Sequence, residues 1–86
     1  MITKEVMVKN PTGLHARPAT LLVKRASTYK SDVSIEFNGK KANVKSLIGV
    51  LSLGVVKGSA IQVMTSGEDE VKAADELVAL IEALEE

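Results

Sequence analysis

The chain predicts an α+β fold, a two-layer open-faced sandwich in which a four-stranded antiparallel sheet carries three helices on one face. Three observations lead there. Segments apolar at every second residue alternate with segments of helical period, in the order β-α-β-β-α-β-α. The strand-like segments are apolar on one side only, so one sheet face meets water, as antiparallel sheets allow. The second and third strands meet at Asn38-Gly39, a dipeptide that favours a tight antiparallel hairpin because both residues tolerate positive φ. Helices then cover the apolar face.

Each element has its own signal. Residues 2–8 set Ile2, Lys4, Val6 and Val8 against Thr3, Glu5 and Met7, and the turn formers Asn10-Pro11-Thr12-Gly13 end that strand. Residues 16–27 place Ala16, Ala19, Leu22, Val23 and Ala26 at helical spacing, with Pro18 near the start, where its missing N–H costs nothing. Residues 32–37 point Val33, Ile35 and Phe37 inward, and Lys40 to Val44 return with Ala42 and Val44 inward. Residues 46–53 read as a short helix capped by Ser46. Residues 60–66 alternate Ile61, Val63 and Thr65 against Ala60, Gln62 and Met64, between Gly58 and Gly67. Residues 68–84 read as a helix whose acidic start, Glu68-Asp69-Glu70, suits the macrodipole; Val71, Ala74, Leu77, Val78, Ile81 and Leu84 form its apolar stripe.

With 86 residues the expectation is a single domain, 1–86, with a thin stability margin. One Phe, one Tyr and no Trp leave an aliphatic, alanine-rich core and no aromatic platform for single-stranded nucleic acid. Eleven basic residues balance eleven acidic ones, which argues against a nucleic-acid binder. The charges are segregated. Lys4, Lys9, Arg17, Lys24, Arg25, Lys30, Lys40, Lys41 and Lys45 lie in the first part, whereas Glu68, Asp69, Glu70, Asp75, Glu76, Glu82, Glu85 and Glu86 crowd the last 19 residues. There is no cysteine and one histidine, so thiolate chemistry is excluded, a zinc site is disfavoured, and no cofactor is expected. Neither a signal peptide nor a run of about 20 apolar residues stands out, and the expected setting is the cytoplasm, without membrane insertion.

The histidine is the residue to which chemistry attaches. His15 lies between the Pro11-Thr12-Gly13 turn and a helix opening at Ala16, the N-cap position. Backbone N–H groups at a helix start lack partners and, with the dipole, suit an anion such as phosphate. Arg17, two residues on, offers a planar guanidinium for phosphate oxygens, and Gly13 lets the backbone bend before the histidine. A neutral imidazole nitrogen is a competent nucleophile toward an activated phosphoryl group. Taken one at a time, the same residues also fit a solvated histidine, a surface charge and the start of a helix.

The run Gly13-Leu14-His15-Ala16-Arg17-Pro18-Ala19 resembles the active-site signature of the HPr family, the histidine-containing phosphocarriers of the bacterial sugar phosphotransferase system, and length and element order resemble the family along the whole chain. The resemblance implies that His15 accepts a phosphoryl group on Nδ1 from phosphorylated enzyme I, which draws it from phosphoenolpyruvate. The group then passes to the enzyme IIA domain of a sugar transporter, with Arg17 as electrostatic companion. It implies a carrier and not an independent enzyme, and the expected working unit is a monomer.

A second stretch, Gly39-Lys40 and then Lys45-Ser46-Leu47-Ile48-Gly49-Val50-Leu51-Ser52-Leu53-Gly54, is similar to the family's serine-phosphorylation signature. It implies regulation at Ser46 by HPr kinase/phosphorylase and a corepressor role with the catabolite control protein. By its own chemistry Ser46 fits two roles: a plain helix cap, or a site where phosphate gains from the helix start. Leu47, Ile48 and Leu51 lie on a short helix too apolar to bury every side chain, and in the family this region docks partners. Relatives often carry methionine at the positions of Ile48 and Leu51. Lys24, Arg25 and Lys45, grouped with Arg17, are candidates for steering acidic partners. A purely regulatory adaptor like the catabolite-repression paralogue is the competing reading; that paralogue typically has glutamine where this chain has His15.

Overall fold

Alternation of apolar residues decides where the sheet's two faces go. The computed structural model describes residues 1–85. Strands β1 (Ile2–Met7), β2 (Asp32–Phe37), β3 (Lys40–Asn43) and β4 (Ala60–Ser66) form one antiparallel sheet in the order β1-β4-β2-β3. Its register sets Val6 opposite Ile61 and Ile35 opposite Val63. These side chains are buried on one face, while Glu5 and Gln62, also opposite one another, are hydrogen-bonded on the other (3.2 Å). Asn38 and Gly39 take the expected positive φ at the β2–β3 turn. Val44 lies just past the end of β3 but is buried, and its N–H donates to the Val33 carbonyl (2.9 Å).

Three helices close the buried face: α1 (Ala16–Ala26), α2 (Leu47–Ser52) and α3 (Glu70–Glu82). Leu22 and Ala26 of α1, Val50 of α2, and Ala73, Leu77 and Ile81 of α3 share a single core with Val6, Val33, Ile35, Ile61 and Val63. Burying one Leu or Ile in that cluster contributes about 1.5–3 kcal/mol. The predicted sandwich is therefore the fold found.

Two expected core positions are corrected. Ala16 is exposed with φ +52°, at the junction of loop and helix, and Pro18 takes its place on the buried face of α1. Val71 is 58% exposed. The inner face of α3 runs through Ala73, Ala74, Leu77 and Ile81, and Val71 lies about 200° round the helix from Ala73. The helix also begins at Glu70, later than expected, because Asp69 is engaged elsewhere. Its carboxylate accepts from the backbone N–H groups of Lys30 (3.0 Å) and Ser31 (2.9 Å) and from the Ser31 hydroxyl, pinning the α1–β2 loop to the start of α3.

Candidate functional site

The loop between β1 and α1 is built to present one residue. Asn10 is buried; its side-chain amide donates to the Gly13 carbonyl (2.7 Å), and the Gly13 N–H donates to the Asn10 carbonyl (3.2 Å). Gly13 has φ +65° and lies so close to the segment after α2 that a Cβ would sit 2.3 Å from the Val55 carbonyl oxygen. Only glycine fits there without displacement. Leu14 follows, fully buried, its N–H donating to the same Val55 carbonyl (3.1 Å).

His15 comes next, with extended backbone (φ −124°, ψ 159°) at the N-cap of α1. It is half-buried, and its side chain makes no capping bond to the helix, so the ring is not consumed by closing α1. Ala16 then takes φ +52°, a left-handed conformation that costs a non-glycine residue about 1–3 kcal/mol and persists only where its surroundings fix it. Here those surroundings are the bonds at Asn10, Gly13 and Leu14 on one side and the first turn of α1 on the other, where the Thr20 hydroxyl donates to the Ala16 carbonyl (3.2 Å). Arg17 is exposed on that first turn. The N–H groups of a first turn have no partner within their own helix, so an anion on the imidazole would meet donors.

Ser46 sits as read, at the N-cap of α2, exposed, its Oγ accepting from the Gly49 N–H (3.2 Å). On α2, Ile48 is 81% exposed and Leu47 and Leu51 are partly so, while Val50 faces the core. α2 packs beside α1, and Val55, just beyond α2, seats the His15 loop, so the two sequence motifs share one side of the molecule. Val56 joins them: it is exposed and its Cα lies against Gly13. Neither Asn10 nor Val56 stood out in the sequence. Asn10 reads as one more turn former, and the short Val55-Val56-Lys57 segment between Gly54 and Gly58 carries no periodic signal.

The basic residues are not one group. Lys24 is exposed on the last turn of α1. Arg25 faces Glu76 of α3 (3.8 Å), and Lys45 donates to the Tyr29 carbonyl (2.9 Å). The Tyr29 hydroxyl donates to Glu76; burial and that carboxylate raise its pKa. At the other end of α3, Asp69 is lowered from its ordinary 3.8 to about 2 by the Ser31 hydroxyl and the Lys30 and Ser31 N–H groups. Glu70 is lowered by the Gly67 N–H and the N-terminal ammonium, which lies 3.1 Å away.

Known proteins share this architecture. The family model for the PTS HPr component phosphorylation site matches residues 2–83. The HPr-like protein Crh of Halalkalibacterium halodurans is 48% identical over 82 residues, spanning 95% of this chain and 98% of that protein. The structure of HPr-C-His from Thermoanaerobacter tengcongensis superposes with a TM-score of 0.94 at 44% identity, covering 96% of this chain and 93% of that one. Phosphocarrier protein HPr from Bacillus anthracis str. Ames superposes with a TM-score of 0.90 at 40% identity, covering 92% and 94%.

Proposed function

The chain belongs to the HPr family of phosphocarrier proteins, and we propose that residues 1–86 work as one domain that accepts a phosphoryl group on His15 from phosphorylated enzyme I and delivers it to enzyme IIA domains of sugar transporters. The observation that carries this is the setting of His15: half-exposed at the mouth of α1, its ring unused by the helix it caps, in a loop fixed by Asn10, Gly13 and Val55. In the first transfer the Nδ1 lone pair forms a P–N bond as the donor's bond to phosphorus breaks and its electron pair stays on the donor; Nε2 keeps its proton. The second transfer reverses this toward the acceptor. First-turn N–H groups and the Arg17 guanidinium attract the phosphoryl oxygens from the surface, and this loose hold suits a carrier, since tight binding would stall the next step. The relay is assigned to the cytoplasm and to a monomer, which sedimentation velocity tests.

The experiment is to incubate the protein with phosphoenolpyruvate and enzyme I and to measure acid-labile, base-stable phosphate. Wild type should label and His15→Ala should not. An unlabelled wild type, or undiminished label on His15→Ala, overturns the reading.

A second role is supported by the kinship with Crh and by the exposed hydroxyl of Ser46. In it, HPr kinase/phosphorylase modifies Ser46, and the product serves the catabolite control protein as corepressor. The His15 side chain favours the carrier as the main role, and both can reside in one chain. With ATP and the kinase, acid-stable label should appear on wild type; label that survives Ser46→Ala excludes Ser46.

A further inference from the structure

We propose that Asn10 is a positioning residue for phosphoryl transfer at His15, an inference that rests on the carrier reading and assigns a new part of its machinery. Asn10 is 1% exposed, a polar side chain buried beside an otherwise apolar core. Its Nδ2 donates across the turn to the Gly13 carbonyl (2.7 Å), while the Gly13 N–H donates back to the Asn10 carbonyl (3.2 Å). The side chain thus acts as a strut that closes the Pro11–Gly13 turn from within. The next peptide is fastened to Val55 through the Leu14 N–H (3.1 Å), and the residue after that is His15. The strut and the Val55 bond together deliver the imidazole to the helix mouth and hold Ala16 at φ +52°. Without the strut the turn relaxes, and the imidazole loses its fixed bearing on the first-turn N–H groups. A reacting atom displaced by a fraction of an ångström slows an in-line transfer.

The direction of the bond makes the test sharp, because Asn10 must donate. Asn10→Asp keeps the shape and loses the donor; Asn10→Ser keeps a shorter donor; Asn10→Ala has none. Phosphoryl uptake from enzyme I is measured well below the unfolding temperature, with kcat and KM resolved. Asn10→Asp should lower kcat about tenfold and leave KM within about twofold, with Asn10→Ser in between. Thr65→Ala serves as the control for stability alone. It removes a buried hydroxyl that donates to the Glu70 carbonyl (2.7 Å), at the end of β4 paired with Ile2 and so far from the His15 loop. It should unfold more easily yet keep the wild-type kcat. Equal kcat for Asn10→Asp and wild type, or a loss matched by Thr65→Ala, overturns the positioning role while leaving the carrier reading in place. Should Asn10→Asp not fold, serine is compared with alanine at equal folded fraction: faster transfer by serine supports the strut, and equal rates overturn it. An unlabelled wild type fells the carrier reading and this proposal together.

Discussion

Gly13→Ala tests the seating of the His15 loop, and its cost can be worked out in two parts. The backbone there has φ +65°, where an L side chain costs about 1–2 kcal/mol. The added Cβ would also sit 2.3 Å from the Val55 carbonyl oxygen and 2.7 Å from the Val56 Cα, both backbone atoms that cannot rotate away. Overpacking of that kind costs a further ~1–3 kcal/mol. The sum, about 2–5 kcal/mol, is a large share of the ~4–13 kcal/mol available to a domain of this size. It corresponds to a fall in Tm of about 10–30 °C. Gly39→Ala isolates the first part, since Gly39 has φ +78° and nothing within 4 Å of an added Cβ. Urea unfolding followed by far-UV circular dichroism, with matched m-values, gives both numbers. Gly13→Ala should be the costlier by about 1 kcal/mol or more. Equal losses would refute the claim that the loop is clamped against Val55.

Three further outcomes follow from the geometry. Asp69 has its folded pKa lowered to about 2 from an ordinary 3.8, so its contribution to stability is full above the ordinary value and is lost as pH falls from about 4 toward 2. The stability gap between wild type and Asp69→Asn should therefore narrow over that window in acid titrations, and a gap independent of pH would contradict the pinning of the α1–β2 loop. Ser46→Ala removes the acceptor of the Gly49 N–H and should cost about 1 kcal/mol by urea midpoint, whereas Ser46→Asp, which keeps an acceptor, should cost a few tenths or less. Ile48→Ser, at a side chain 81% exposed, should change stability by no more than about 0.5 kcal/mol while raising the KM of transfer from enzyme I about fivefold; unchanged KM would remove α2 from the docking surface.

What was legible in the sequence was what repeats locally. Alternation at Val33, Ile35, Ile61 and Val63 placed two strands and their inner faces, and Asn38-Gly39 placed the hairpin, because both signals depend on neighbours in the chain. The core of α3 was legible only in part. Leu77 and Ile81 follow a period, but Val71 lies about 200° round the helix from Ala73 and so off the inner face, while the helix start at Glu70 answers a long-range demand, the hold of Asp69 on the α1–β2 loop. The site shows the same division. His15, Arg17 and Ser46 stand in short motifs, whereas the parts that hold His15 in place are tertiary: the Asn10 amide turned inward, Gly13 pressed on Val55, and Ala16 in a left-handed conformation.

The basic residues show how tertiary contacts redistribute what a sequence groups together. Arg17, Lys24, Arg25 and Lys45 read as one cationic face for acidic partners. In the fold, Arg25 meets Glu76, a partner exposed enough that the pair adds little stability yet still offsets the arginine's field. The Lys45 ammonium donates to the Tyr29 carbonyl, tying the segment before Ser46 to the α1–β2 loop. Under the carrier reading, Arg17 and Lys24, both exposed on α1, are candidates for steering acidic partners, and the exposed Leu47, Ile48, Leu51 and Val56 are proposed as the docking surface. A docking surface of that kind would suit a carrier that exchanges partners, because apolar contact is non-directional and is given up without breaking desolvated ion pairs.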